Sequence, residues 1–123
     1  PKLRIVTFIS MQTFGRKGEN LAAEYLVRQG YRVVEKTTAL EAEIDLICQK
    51  DGLLIFVEVK TRSSRIFGQP ESFVSDTQKA AIIRAAGQYM LEVDWSDDLR
   101  FDIVAIISNQ SEEEILHLKD AFY

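Results

Sequence analysis

Residues 43–62 read EIDLICQKDGLLIFVEVKTR, two β-rich runs closed around Lys50-Asp51-Gly52. Asp-Gly between apolar runs is a strong hairpin signal, because a two-residue turn matching the strand twist needs positive φ at both central positions. The runs are expected to cover 41–49 and 53–61. With Lys50 opposite Leu53, pairing works outward so that Ile47 faces Phe56, Asp45 faces Glu58 and Glu43 faces Lys60 on one side of the hairpin, since strand side chains alternate with period two. A three-residue loop with a bulge would shift this pairing by one and weaken the opposition of the two acids.

In the even register an apolar row runs straight into charge. Opposed side chains start from Cβ atoms about 4.5–5.5 Å apart, so Asp45 and Glu58 repel unless a cation lies between them. Two carboxylates at that spacing suit a hard divalent ion, Mg²⁺ or Mn²⁺, better than the softer metals. Lys60 points to the same side, and an ammonium there can orient water or steady hydroxide beside a phosphate. Glu43 opposite Lys60 reads as an ordinary cross-strand ion pair. Cys48 falls on the other face by parity and reads as core.

Outward from the hairpin, residues 13–29 carry a helical stripe of Phe14, Leu21, Ala22, Tyr25 and Leu26, ended by Gly30. A short strand follows at 31–37. Residues 75–93 read as a second helix with Ser75 as N-cap and Gln78 in capping-box position, so Gln78 is expected to serve the cap first and any site second. Residues 99–107 are apolar on both faces apart from Arg100 and Asp102, as in a buried strand, and a last strand is expected at 114–118. His117 reads as a surface strand residue, and Asp97-Asp98 and Glu112-Glu113-Glu114 as solvated turns. This order of elements makes an α/β fold, a central mixed β-sheet flanked by helices, the economical architecture. Met11 reads as a natural start, so residues 1–11 are expected to be an extension and 12–123 a single domain.

With 123 residues, 46% of them hydrophobic, the chain has enough apolar surface for one core. It contains no stretch suited to crossing a bilayer and no secretory leader pattern, which leads us to expect a cytoplasmic protein. One cysteine and one histidine exclude an internal disulfide, a multi-thiolate zinc site and a His-rich metal cluster. The net charge of −4 speaks against bulk electrostatic binding of nucleic acid. Yet residues 1–65 hold 11 Lys and Arg against 8 acids, and residues 66–123 hold 4 against 11, so a polyanion would favour the first half.

Glu43-Ile44-Asp45-Leu46-Ile47 followed by Phe56-Val57-Glu58-Val59-Lys60-Thr61-Arg62 resembles the YraN-like family of small predicted endonucleases, relatives of archaeal Holliday-junction resolvases in the PD-(D/E)XK nuclease superfamily. Gly15, Gly18-Glu19, Ala22 and Tyr25-Leu26 match its first helix, Gly30-Tyr31 that helix's end, Lys79, Ala86 and Tyr89 its second helix, and Arg100-Phe101-Asp102 its later strand. The likeness covers roughly 12–122. It departs at Ala42, where the family has glycine, and at Lys36-Thr37-Thr38, where the family has an asparagine-arginine pair.

The resemblance implies a restriction-endonuclease-like sandwich, so that 12–123 would be one nuclease-like domain, and a Mg²⁺- or Mn²⁺-dependent endonuclease acting on DNA more readily than RNA, on branched or structured substrates. Asp45 and Glu58 would be metal ligands together with the carbonyl of Val59, Lys60 would activate the attacking water, and Glu19 would complete the site. Glu19 shares a helix side with Ala22 and Leu26, which leans it over the sheet. Arg62, Arg65, Arg16, Lys17 and Lys79 are candidate phosphate contacts, each equally able to be a solubilising charge. The alternative function is a nucleic-acid-binding or partner-binding protein that keeps the fold without hydrolysis. Symmetric cutting of two strands would fit a homodimer, and a dimer interface on the hairpin face is a third reading of the same charges.

Overall fold

The computed structural model describes residues 17–36, 44–63, 69, 72–108 and 112–123. Residues 1–16, with Met11, Gly15 and Arg16, lie outside that description, as do Thr37, Thr38, Ala42, Glu43 and Arg65. Helix α1 spans Lys17–Arg28, strand β1 Arg32–Lys36, β2 Leu46–Lys50, β3 Leu53–Arg62, helix α2 Asp76–Val93, β4 Leu99–Ser108 and β5 Glu113–Leu118. The strands form one mixed sheet in the order β1-β2-β3-β4-β5, antiparallel throughout except for the parallel pair β3 and β4. Parallel neighbours need a crossover, and α2 supplies it.

The hairpin forms in the even register, with Lys50 opposite Leu53, Ile47 opposite Phe56 and Leu46 opposite Val57. Its turn has φ of 53° at Asp51 and 79° at Gly52, the backbone that Asp-Gly tolerates. β2 is shorter than its sequence suggests. It begins at Leu46, because the Asp45 carboxylate takes the main-chain N–H of Val59 at 2.8 Å. A side chain thereby occupies the place that a main-chain carbonyl of a longer β2 would fill.

Strand alternation sorts the apolar side chains into two cores. Ile47, Leu54, Phe56, Phe101 and Ile103 meet Ile82, Ala85, Ala86 and Tyr89 of α2. Leu46, Cys48, Ile55, Val57, Val104 and Ile106 meet Ala22, Ala23 and Leu26 of α1. The molecule is therefore a helix–sheet–helix sandwich, and the two cores are worth roughly 1.5–3 kcal/mol per large side chain removed from water. Phe56 lies at the centre of the first, stacked on Phe101 at 5.5 Å and edge-on to Tyr89 at 6.1 Å. On the other face α1 comes so close to β3 that a side chain at Gly18 would collide with Thr61 Oγ1. Gly30, at φ 92°, ends the helix.

Two expectations are corrected. The side chain of His117 is buried rather than exposed. Its Nε2 lies 2.7 Å from Asp102 Oδ2 and its Nδ1 3.2 Å from the Tyr25 hydroxyl, so the neutral ring that satisfies both contacts donates from Nε2 and accepts at Nδ1. Asp102, with no exposed surface, also accepts two bonds from Arg100 at 2.9 Å and one from the N–H of Asp120 at 3.0 Å. Arg100 continues to the Tyr31 hydroxyl at 2.9 Å. This network ties α1, β4 and β5 together under the sheet. Glu113 joins Glu114 at the start of β5, the two opposite Ser108 and Ile107, instead of lying in a turn. In β1, Val33 and Val34 are both buried, because a bulge between Val33 and Glu35 interrupts the alternation.

A buried acid pair beside a lysine

Leu54 and Phe56 anchor one row of β3 in the core beneath α2, and the same row continues into Glu58, Lys60 and Arg62. Glu58 is therefore dragged under the helix by the apolar residues that precede it; it is only 5% exposed. Asp45 stands at the end of the neighbouring strand, half-buried, with Oδ2 fixed by the Val59 N–H. The structure thus brings Asp45, Glu58 and Lys60 into one cluster.

Three groups surround the Glu58 carboxyl. Lys60 Nζ lies 3.2 Å from Oε2, Gln78 Nε2 donates to the same oxygen at 2.9 Å, and the Asp45 carboxyl is close enough for its charge to act on the group. Oε1 is buried and receives no hydrogen bond. Burial, then the charge of Asp45, pushes the Glu58 carboxyl up to about 8, against the smaller opposing pull of Lys60. Burial also raises Asp45, partly offset by the Val59 N–H, by Glu58 and by Lys60.

A stability effect follows with a definite sign. A carboxyl raised from 4.5 in the unfolded chain to about 8 in the folded one contributes stability that is complete below about pH 4.5 and lost as pH climbs towards 8. Metal-free protein, melted in chelator at pH 5, 6.5 and 8, is expected to lose melting temperature across that window, and Glu58→Gln to flatten the loss. Parallel profiles for the two proteins would show that Glu58 ionises as it does in water.

The donor set suits a hard divalent cation. Glu58 Oε1 is an orphaned buried acceptor, and the Asp45 charge acts on the same carboxyl, so a cation held there would offset the repulsion between the two acids. Lys60 competes for the same acid. Among the described residues no three Asp, Glu, His or Cys side chains converge. Glu19 occupies the first turn of α1, half-buried, on the helix that packs against the opposite sheet face.

The candidate phosphate contacts are scattered. Arg62 is on the Lys60 row, its guanidinium 4.7 Å above the Phe73 ring and donating to its neighbour's carbonyl, Thr61 O, at 2.9 Å. Lys79 is on α2, 4.0 Å from Asp76 and 5.8 Å from the centre of the Phe122 ring. Lys17 opens α1, and Arg16 and Arg65 lie outside the described residues.

Sequence reasoning undervalued Gln78. Ser75 does cap α2, accepting the Gln78 N–H at 3.1 Å, but the Gln78 side chain leaves the capping box and crosses to Glu58. The signal was local: a polar residue at the third helical position serves the cap or whatever the helix is docked against, and only the docking decides.

A model of the family described as "Uncharacterised protein family UPF0102" matches residues 18–106, which contain the whole cluster. A UPF0102 protein of Flavobacterium johnsoniae is 44% identical over 114 residues, covering 89% of this chain and 93% of its own. One from Flavobacterium psychrophilum is 42% identical over 110 residues (89% and 92%), and one from Chlorobaculum parvum 40% over 120 residues (90% and 92%).

Proposed function

This chain belongs to the uncharacterised protein family UPF0102, the YraN-like family, and from that premise we propose that it is a Mg²⁺- or Mn²⁺-dependent nuclease that hydrolyses DNA phosphodiester bonds, with branched or otherwise structured DNA as its substrate class. The observation that carries the reading is the convergence of Asp45, Glu58 and Lys60 at the buried end of a core row. The α/β sandwich of sheet and two helices is consistent with the nuclease-like architecture of the PD-(D/E)XK superfamily.

Asp45 and Glu58 are the two side chains that would hold the ion, with the carbonyl of Val59 as a main-chain ligand. A bound Mg²⁺ or Mn²⁺ supplies a water of lowered pKa and neutralises charge on the phosphate. Asp45 is pre-oriented by the Val59 N–H, which fixes Oδ2 at 2.8 Å. Lys60, once released from Glu58 Oε2, can donate from Nζ to the attacking oxygen or to a non-bridging phosphate oxygen, which is where negative charge grows. Arg62, stacked on Phe73 along the same row, can hold the next phosphate. Paired incisions on two strands would require two such sites, and a homodimer would supply them.

The experiment is direct: purified protein with Mg²⁺ or Mn²⁺ is expected to nick at least one member of a set of labelled linear, flapped and four-way DNA substrates, and chelation to stop it. Across that set, the absence of metal-dependent cleavage would contradict the reading. One observation favours the other reading, a nucleic-acid-binding or partner-binding protein on the same fold. The Lys60 ammonium already stands 3.2 Å from Glu58 Oε2, and a protein that uses this contact only for structure would take up no Mn²⁺ through Asp45.

A further inference from the structure

Gln78 sits at the third position of α2, and its backbone and side chain have separate duties. The N–H belongs to the Ser75 cap, whereas the side-chain amide donates to Glu58 Oε2, joining residues 20 apart in sequence. Lys60 Nζ converges on that same oxygen. Two donors on one carboxylate oxygen stop the group rotating and leave the other, buried Oε1, as the atom not already engaged.

The two donors differ in what an arriving cation does to them. A divalent ion at Glu58 repels the Lys60 ammonium, but the Gln78 amide is neutral and can stay. The start of α2 that carries it is well anchored: Ser75 caps it, Val74 is buried in the core, and Phe73 lies under the Arg62 guanidinium at 4.7 Å. Groups held by packed elements in this way are what keep a ligand's second oxygen in place.

We propose that Gln78 is a positioning residue: its amide clamps Oε2 of Glu58 and so presents Oε1 to a divalent cation shared with Asp45. The proposal rests on the metal-site reading above and assigns Gln78 no contact with substrate.

The test is Mn²⁺ binding to the full chain, measured by calorimetry without DNA. Wild type binds, Glu58→Gln does not, and Gln78→Leu binds about 10–100-fold more weakly with an unchanged circular dichroism spectrum. Ser75→Ala separates positioning from mere helix support: it loosens the start of α2 and lowers the melting temperature, yet leaves Mn²⁺ affinity within about twofold of wild type. If Gln78→Leu binds Mn²⁺ as wild type does while Glu58→Gln fails to bind, the positioning role is wrong and the metal site stands. If Ser75→Ala weakens Mn²⁺ as much as Gln78→Leu, Gln78 acts only through the helix and the proposal is overturned. No uptake by wild type at millimolar Mn²⁺ overturns both readings together.

Discussion

Asp102→Ala is expected to destabilise the fold by about 3–5 kcal/mol, the cost of removing one partner from a buried ion pair and stranding the other. Arg100 would lose two of its three hydrogen bonds at a stroke, since two end on Asp102 and only the one to Tyr31 remains. His117 would lose its acceptor while its ring stays buried between Tyr25 and Tyr31. Against a total stability on the order of 5–15 kcal/mol for a domain, such a loss is large. Urea unfolding of the variant measures it, and a change under about 1 kcal/mol would show that the network is incidental. The double variant Arg100→Met with Asp102→Leu should recover part of the loss, because removing both charges leaves less stranded.

The same network sets the acid limit of the fold. Burial pushes the Asp102 carboxyl up, but the hydrogen bonds from His117, Arg100 and the Asp120 N–H outweigh it and hold the group below its ordinary value. Its stabilising contribution is therefore complete above about pH 4 and is lost as pH falls further, the reverse of Glu58. Bonding to Asp102 likewise keeps Arg100 charged, more than offsetting its partial desolvation.

Lys60→Ala is expected to reduce metal-dependent DNA cleavage at least about 100-fold, the scale on which removing one preorganised donor to developing charge is felt. It should do so without weakening Mn²⁺. The ammonium is 3.2 Å from Glu58 Oε2, so its removal takes a competing cation away from the carboxylate. Unchanged or tighter Mn²⁺ binding with lost cleavage would therefore separate chemistry from metal capture. Asp45→Asn should lose both, because the amide that replaces its carboxylate carries no charge to share an ion. Equal cleavage by wild type and Asp45→Asn would trace the activity to another protein in the preparation.

The hairpin was legible because its turn chemistry and its alternation agree: Asp51-Gly52 dictates the backbone, and the apolar row through Phe56 dictates the face. From these alone the even register followed, and with it the approach of Asp45 to Glu58. Helix α2 and its Ser75 cap were legible for the same kind of reason. The failures share a different cause. His117 sits in a strand whose outer face, by sequence, could be wet; it is buried because α1 folds across it and brings Tyr25, 92 residues away, to its ring. Gln78 satisfies the rule for a capping residue and departs from it because α2 is docked on Glu58. β2 stopped short at Asp45 because a carboxylate outcompeted the main chain for one N–H. In each case local pattern described the segment correctly and a partner from elsewhere in the chain decided what the polar atom did.

Metal-dependent hydrolysis here requires two acids of adjacent strands to share a divalent ion beside an amine. Its most direct test is diffraction from a crystal soaked in millimolar Mn²⁺, with the anomalous signal mapped. A peak between the Asp45 and Glu58 carboxylates, with Lys60 drawn off Glu58 Oε2, is the expected result. An empty map there, with the Lys60–Glu58 pair still closed, would contradict it.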